Sequence, residues 1–134
     1  MKPNRIDAAL LILRSSLGVM WIAHAGLKFF VFTIAGFAAW LSSQGIPAWF
    51  AWPVFLTEFL GGICILFGFR GNQASLMLVP VLAVATLTHA NNGWVHTSAG
   101  GGWEYPLFLL LMSIVHGLLG DGRYAVRTFA TSDV

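Results

Sequence analysis

Residues 52–69, WPVFLTEFLGGICILFGF, carry a single formal charge, Glu58. Three more runs are nearly as apolar, at about 7–32, 74–90 and 103–119. A soluble chain of 134 residues can wrap one helix that is hydrophobic all round, but it lacks the chain to wrap four. A bilayer accepts all four, because each crossing takes about 20 apolar residues. Composition agrees: 9% of the residues are charged, against about 25% in soluble domains. The sequence therefore predicts one all-α membrane domain over 1–134, a four-transmembrane-helix bundle with those four runs as spans. Barrel strands would show short alternating segments, which are absent. The start, MKPNRIDAALLILRSSLGVMWIA, resembles a secretory signal, but its apolar run continues past a typical signal core, so a retained anchor is expected.

The connections differ in kind. TIAGFAAWLSSQGIPAWFAWP is uncharged and holds Phe37, Trp40, Trp49, Phe50 and Trp52. It predicts a short interfacial helix between spans one and two, with its aromatics at headgroup depth. GFRGNQ reads as a tight turn and HANNGWVHTSAGGGW as a longer flexible loop. Pro53 and Pro106 suit first helical turns, and Pro80 predicts a kink inside span three. Gly61 and Gly62 would let helices approach closely. Lys2 and Arg5 precede span one, Arg70 follows span two, and Arg123 and Arg127 follow span four. The other two connections lack Lys and Arg, so both termini and the GFRGNQ turn are expected in the cytoplasm.

That topology gathers scattered residues at one depth. His24 and Lys28 fall in the outer half of span one, and Glu58 lies about two turns from the outer end of span two. His89 ends span three and Glu104 starts span four. On span one, Arg14, Gly18, Trp21, His24, Ala25 and Lys28 share one helical stripe. Ionisable groups inside a membrane face protein, water or one another, so the stripe should face the interior, with Lys28 paired to Glu58. Arg14, in the inner half, is expected to act structurally or to reach cytoplasmic phosphates. His96 is expected in solvent, and His116 and Cys64 packed.

Other chemistries lack their signatures. The net charge of +2 comes from scattered residues that form no patch, so no nucleic-acid partner is expected. A single cysteine rules out an internal disulfide and a CxxC pair. Gly100, Gly101 and Gly102 lack the strand, Lys and Ser/Thr of a phosphate loop, and no flavin-binding glycine fingerprint occurs.

Three segments carry a family likeness: RSSLGVMWIAHAGLKFF; GFAAWLSSQGIPAWFAWPVFLTEFLGGICILFG; and GGGWEYPLFLLLM followed by GDGRY. Over about residues 5–125 the chain resembles the DoxX family of small four-helix membrane proteins. The first segment is similar to an arginine-led helix ending in a His-Gly-x-x-Lys-like element, with the glycine displaced by one at Gly26. The resemblance implies a plasma-membrane, multi-pass protein tied to redox chemistry. Such proteins act as partners or subunits of oxidoreductases passing electrons from thiols or thiosulfate to quinone, or as protection against quinone and thiol stress. The positions matching the family's polar residues are Arg14, His24, Lys28, Glu58, His89 and Glu104.

Three functions compete. In the first, a quinone binds in an apolar slot walled by Trp21, Phe55, Phe59 and Phe108 and entered by Lys28. His24, Glu58, His89 and Glu104 then act as catalytic hydrogen-bonding or proton-relay groups. No electron carrier is encoded, so electrons come from the substrate or from a redox-enzyme partner. In the second, His24 and His89, with the two glutamates, hold a transition metal or a haem, although Lys28 beside His24 repels a cation. In the third, the chain is a small-solute transporter or an assembly subunit, with homo-oligomers enlarging the pathway.

Overall fold

The computed structural model describes residues 4–126. Lys2 and Arg127, used above for orientation, lie outside the described residues. Five α-helices follow in order: α1 Arg5–Gly26, α2 Thr33–Ser43, α3 Ala51–Phe67, α4 Gly71–His89 and α5 Glu104–Leu119. A π-turn, Leu27–Val31, extends α1, and short 3-10 turns at Ala48–Phe50 and Ala90–Asn92 precede α3 and follow α4. No strand occurs among the described residues. Three helical segments, Arg5–Val31, Ala48–Phe67 and Gly71–Asn92, are long and apolar enough to cross a membrane, and Glu104–Leu119 is a shorter apolar helix.

Local sequence explains the ends of these elements. Asn4 and Asp7 form a capping box at the start of α1: Asn4 Oδ1 accepts the Asp7 amide at 2.9 Å, and Asp7 Oδ2 accepts the Asn4 amide at 3.0 Å. Helix α3 ends at Gly68, whose left-handed φ of 70° suits glycine. A side chain there would also strike the Arg14 guanidinium and Ala125. Helix α4 runs through Pro80, as neighbouring helices permit.

Helix α1 packs on α3 and α5, α3 also packs on α4, and α4 on α5. The expected close approach is visible at α3. A Cβ on Gly62 would sit 3.0 Å from Trp21, and one on Gly61 would sit 2.9 Å from Leu78. The two glycines thus admit α1 on one face of α3 and α4 on another. The core is Leu17, Trp21, Ile65, Leu78, Leu82 and Leu109. A second apolar cluster, Phe37, Leu41 and Ala51, fixes α2 to the start of α3.

Polarity is distributed inside out relative to a soluble protein. Arg14, Glu58, Ser75, Ser113 and His116 are buried, while Ile12, Phe30, Met77, Leu87 and Leu118 are among many large apolar side chains left exposed. Only a hydrocarbon solvent makes that arrangement favourable, because water would charge about 25 cal/mol for each Å² of exposed apolar surface.

Candidate functional site

The molecule has two polar ends. At the aromatic end, the π-turn holds Lys28 so that its Nζ lies 2.8 Å from Glu58 Oε2 on α3. The side chains are 16% and 4% exposed, so the pair is largely desolvated and each charge needs the other. The same ammonium lies 5.2 Å from the centre of the Phe37 ring on α2, a cation–π contact. His24 on α1 stacks on Tyr105 of α5, with its Nε2 3.2 Å from the Tyr105 hydroxyl. That hydroxyl also lies 3.6 Å from Met20 Sδ. His89, at the end of α4, places Nδ1 2.7 Å from the Ala85 carbonyl. A carbonyl can only accept, so Nδ1 is the donor in this contact. Trp40 of α2 lies against the His89 ring at 6.1 Å.

An apolar groove of about 220 Å³ lies beside this set, lined by Gly26, Phe29, Phe30, Phe55 and Phe59. Its aromatic rings brace one another: Phe29 stacks on Phe55 at 5.4 Å, and Phe55 on Phe59 at 6.0 Å. A Cβ on Gly26 would meet nothing within 4 Å, so the missing side chain leaves that part of the groove open. An apolar cavity of about 150 Å³ accommodates benzene, so this groove has room for one substituted ring or a short length of chain. Phe55 stands about one helical turn before Glu58, and Phe59, the residue after Glu58, is 38% exposed where Glu58 is buried.

The sequence-predicted residues thus fall into separate contacts. Lys28 and Glu58 form the expected pair. Phe55 and Phe59 line the groove. Trp21 packs instead into the core at 4% exposure, and Phe108 is 58% exposed on the outer side of α5. Glu104 turns to the loop: its Oε1 accepts the His96 amide at 2.9 Å and lies 2.8 Å from His96 Nδ1. No hydrogen bond among the described residues joins any two of His24, Glu58, His89 and Glu104. Among the described residues, no group of three or more His, Cys, Asp or Glu side chains gathers as metal ligands would.

Sequence reasoning missed Tyr105, Phe29, Phe30 and Gly26. Charge drew attention to Glu104, whereas the next residue, Tyr105, is the one on the inward face. Phe29 and Phe30 carry no charge, and in a run of apolar residues nothing marked them out from lipid-facing phenylalanines.

At the opposite, basic end the polar groups are tied down. Arg14 is 3% exposed and donates to the Leu66 carbonyl at 3.2 Å and the Tyr124 carbonyl at 2.6 Å. It therefore caps the end of α3 and holds the C-terminal turn, and it does not reach a lipid phosphate. His116, fully buried, sits 2.7 Å from Ser75 Oγ through Nδ1 and 3.3 Å from Asp121 Oδ1 through Nε2. Asp121 Oδ2 accepts the Gly71 amide at 2.9 Å, at the start of α4. Ser75 is also fully buried, so this serine–histidine–aspartate set offers no nucleophile to a substrate.

Comparison with known proteins gives one result. No curated protein and no solved structure matches the chain. The sequence model of DoxX matches residues 9–91, taking in the Arg14-to-Lys28 stripe, Glu58, the whole groove and His89, and stopping short of α5. A match over more than half of the chain, taking in Arg14, most of α1 and the whole Glu58 helix, establishes that this protein belongs to the DoxX family.

Proposed function

We propose that this protein binds a membrane quinone at the aromatic end and serves as a subunit or partner of a redox enzyme that uses it. The observation carrying the reading is the phenylalanine groove, lined by the sequence neighbours of the largely desolvated Lys28–Glu58 pair. A quinone needs an apolar place for its ring or the start of its tail and ionisable groups close to its oxygens. Reduction to the quinol takes two electrons and two protons. No electron carrier motif is present, so the electrons come from a thiol or sulfur-compound oxidation, directly or through a partner enzyme. Glu58 and His24 are the groups suited to exchange protons here, and Lys28 stabilises developing negative charge on a quinone oxygen.

In this reading α1, α3, α4 and α5 all cross the plasma membrane as a four-helix bundle, with α2 in the outer interface. Both termini are cytoplasmic, and the groove opens to the outer leaflet. Helix α5 is the shortest of the four, and Trp94 and Trp103, 4.5 Å apart, extend its end with headgroup-seeking rings. The binding test is purification with native lipids followed by identification of bound quinone by mass spectrometry. Wild type should carry quinone, and Phe55→Ala with Phe59→Ala should lose most of it. A wild-type preparation that neither carries quinone nor binds an added benzoquinone would overturn the reading.

A further inference from the structure

We propose that Tyr105 and Met20 hold the side-chain proton of His24 on Nε2 and leave Nδ1 as the atom at which this histidine exchanges protons. The proposal rests on the reading above, in which His24 trades protons with a quinone or quinol, and it adds the atom and the two residues that select it.

The trio lies where α1 meets α5. Met20 and His24 stand one helical turn apart on α1, and Tyr105 reaches them from the first turn of α5. The Tyr105 hydroxyl is 3.2 Å from His24 Nε2 and 3.6 Å from Met20 Sδ. The two rings stack with centroids 5.5 Å apart, which steadies the plane of the imidazole. His24 Nδ1 has no hydrogen-bond partner among the described residues, and it is not among the polar atoms sealed from the surface.

The supply of hydrogens selects one arrangement. A thioether sulfur has none and can only accept, a hydroxyl carries one, and a neutral imidazole carries one. If the hydroxyl donates to Nε2, the imidazole hydrogen sits on Nδ1 without an acceptor, and the sulfur contact is idle. If Nε2–H donates to the hydroxyl oxygen, the hydroxyl hydrogen goes to Met20 and both hydrogens are placed. What remains unpaired is then the Nδ1 lone pair, and an idle acceptor is more readily tolerated than an N–H with nothing to bond.

The donor chain therefore runs from His24 Nε2–H to Tyr105 to Met20. It keeps this direction when the ring is protonated, because the cation has an N–H on both nitrogens. Nε2–H stays in place, and the proton that comes and goes is the one on Nδ1. When a quinol gives up a proton, its O–H bond breaks and an N–H bond forms at Nδ1. In the reverse step the imidazolium returns that proton to the reduced quinone oxygen and the ring is neutral again. Tyr105 is a positioning residue acting through His24, and Met20 acts through Tyr105.

The experiment is nitrogen NMR of the full chain in nanodiscs with isotope-labelled histidine, the His24 signals being identified by their loss in His24→Gln. Wild type should show a protonated Nε2 and a bare Nδ1. Met20→Leu removes the sulfur acceptor and keeps the bulk. It should move the tautomer ratio toward Nδ1–H by roughly fivefold, the weight of one hydrogen bond. Tyr105→Phe keeps the ring stack and should bring the two tautomers to comparable amounts. Decylubiquinol is then added as the probe, with binding followed by quenching of tryptophan fluorescence. It should shift the Nδ1 signal, and its dimethyl ether, which has no hydroxyl, should bind without that shift. A wild-type ring with its proton on Nδ1 overturns the proposal, whatever binds. So does a tautomer ratio that neither variant moves, as a purely structural role would leave it. Bound decylubiquinol with an unmoved Nδ1 signal overturns the exchange role and leaves the quinone reading standing. If no quinol binds, the quinone reading falls, and the tautomers of wild type and the two variants decide the proposal alone.

Discussion

The two polar ends use similar residue types for opposite purposes. At the basic end, Arg14 joins α1 to the end of α3 and the C-terminal turn, while Ser75, His116 and Asp121 join α4, α5 and the residues that follow α5. At the aromatic end, Lys28–Glu58, His24–Tyr105 and Glu104–His96 are separate pairs, each joining two elements, and they lie near an open groove, a π-turn and a strained threonine. A set that crosses three elements resists movement, because a central member such as Arg14 cannot leave without stranding more than one group. Isolated pairs can open one at a time. The contrast suggests a molecule clamped at one end and adjustable at the other.

The largest effect is expected at the clamp. Arg14→Met strands the Leu66 and Tyr124 carbonyls and removes two hydrogen bonds from a charged donor. The cost should be about 3–5 kcal/mol. Thermal or steric-trap denaturation in detergent would show it, and an unchanged stability would break the comparison. Next come the single changes Lys28→Met and Glu58→Gln, each expected to cost about 2–3 kcal/mol, because Lys28 keeps some exposure. The double variant should cost less than the two singles added together, and simple additivity would show that the pair carries no coupling.

A smaller loss, about 1–2 kcal/mol, is expected for Ser75→Ala, which leaves His116 Nδ1 without a partner while quinone binding stays at the wild-type level. Reduced binding without reduced stability would show that the basic end also serves the ligand. The smallest effect belongs to His96→Gln. Its pair with Glu104 has side chains 67% and 27% exposed, and the change should alter stability by less than about 0.5 kcal/mol. Orientation is tested separately. With Cys64 replaced by alanine, Gln44→Cys and Ala99→Cys should react with an impermeant thiol reagent added outside intact cells, and Arg70→Cys should not. The opposite pattern would move the adjustable end to the cytoplasmic side.

The sequence alone determined the helices, because lipid solvent demands long apolar runs and charge is too costly to scatter within them. The run expected at 52–69 became α3 at Ala51–Phe67, and the one expected at 74–90 became α4 at Gly71–His89. It also determined the Lys28–Glu58 pair, since two opposite charges at one depth in an apolar medium have few other partners. Tertiary structure decided the rest. Whether Glu104 or Tyr105 faces α1 depends on the rotation of α5, which the packing of Leu109, Ser113 and His116 sets. Whether Arg14 meets a phosphate or the carbonyls of Leu66 and Tyr124 depends on where the C-terminal turn folds back, more than a hundred residues away in sequence. The groove exists because Gly26, Phe29 and Phe30 on one segment meet Phe55 and Phe59 on α3, a meeting of two separate apolar faces that only helix packing decides.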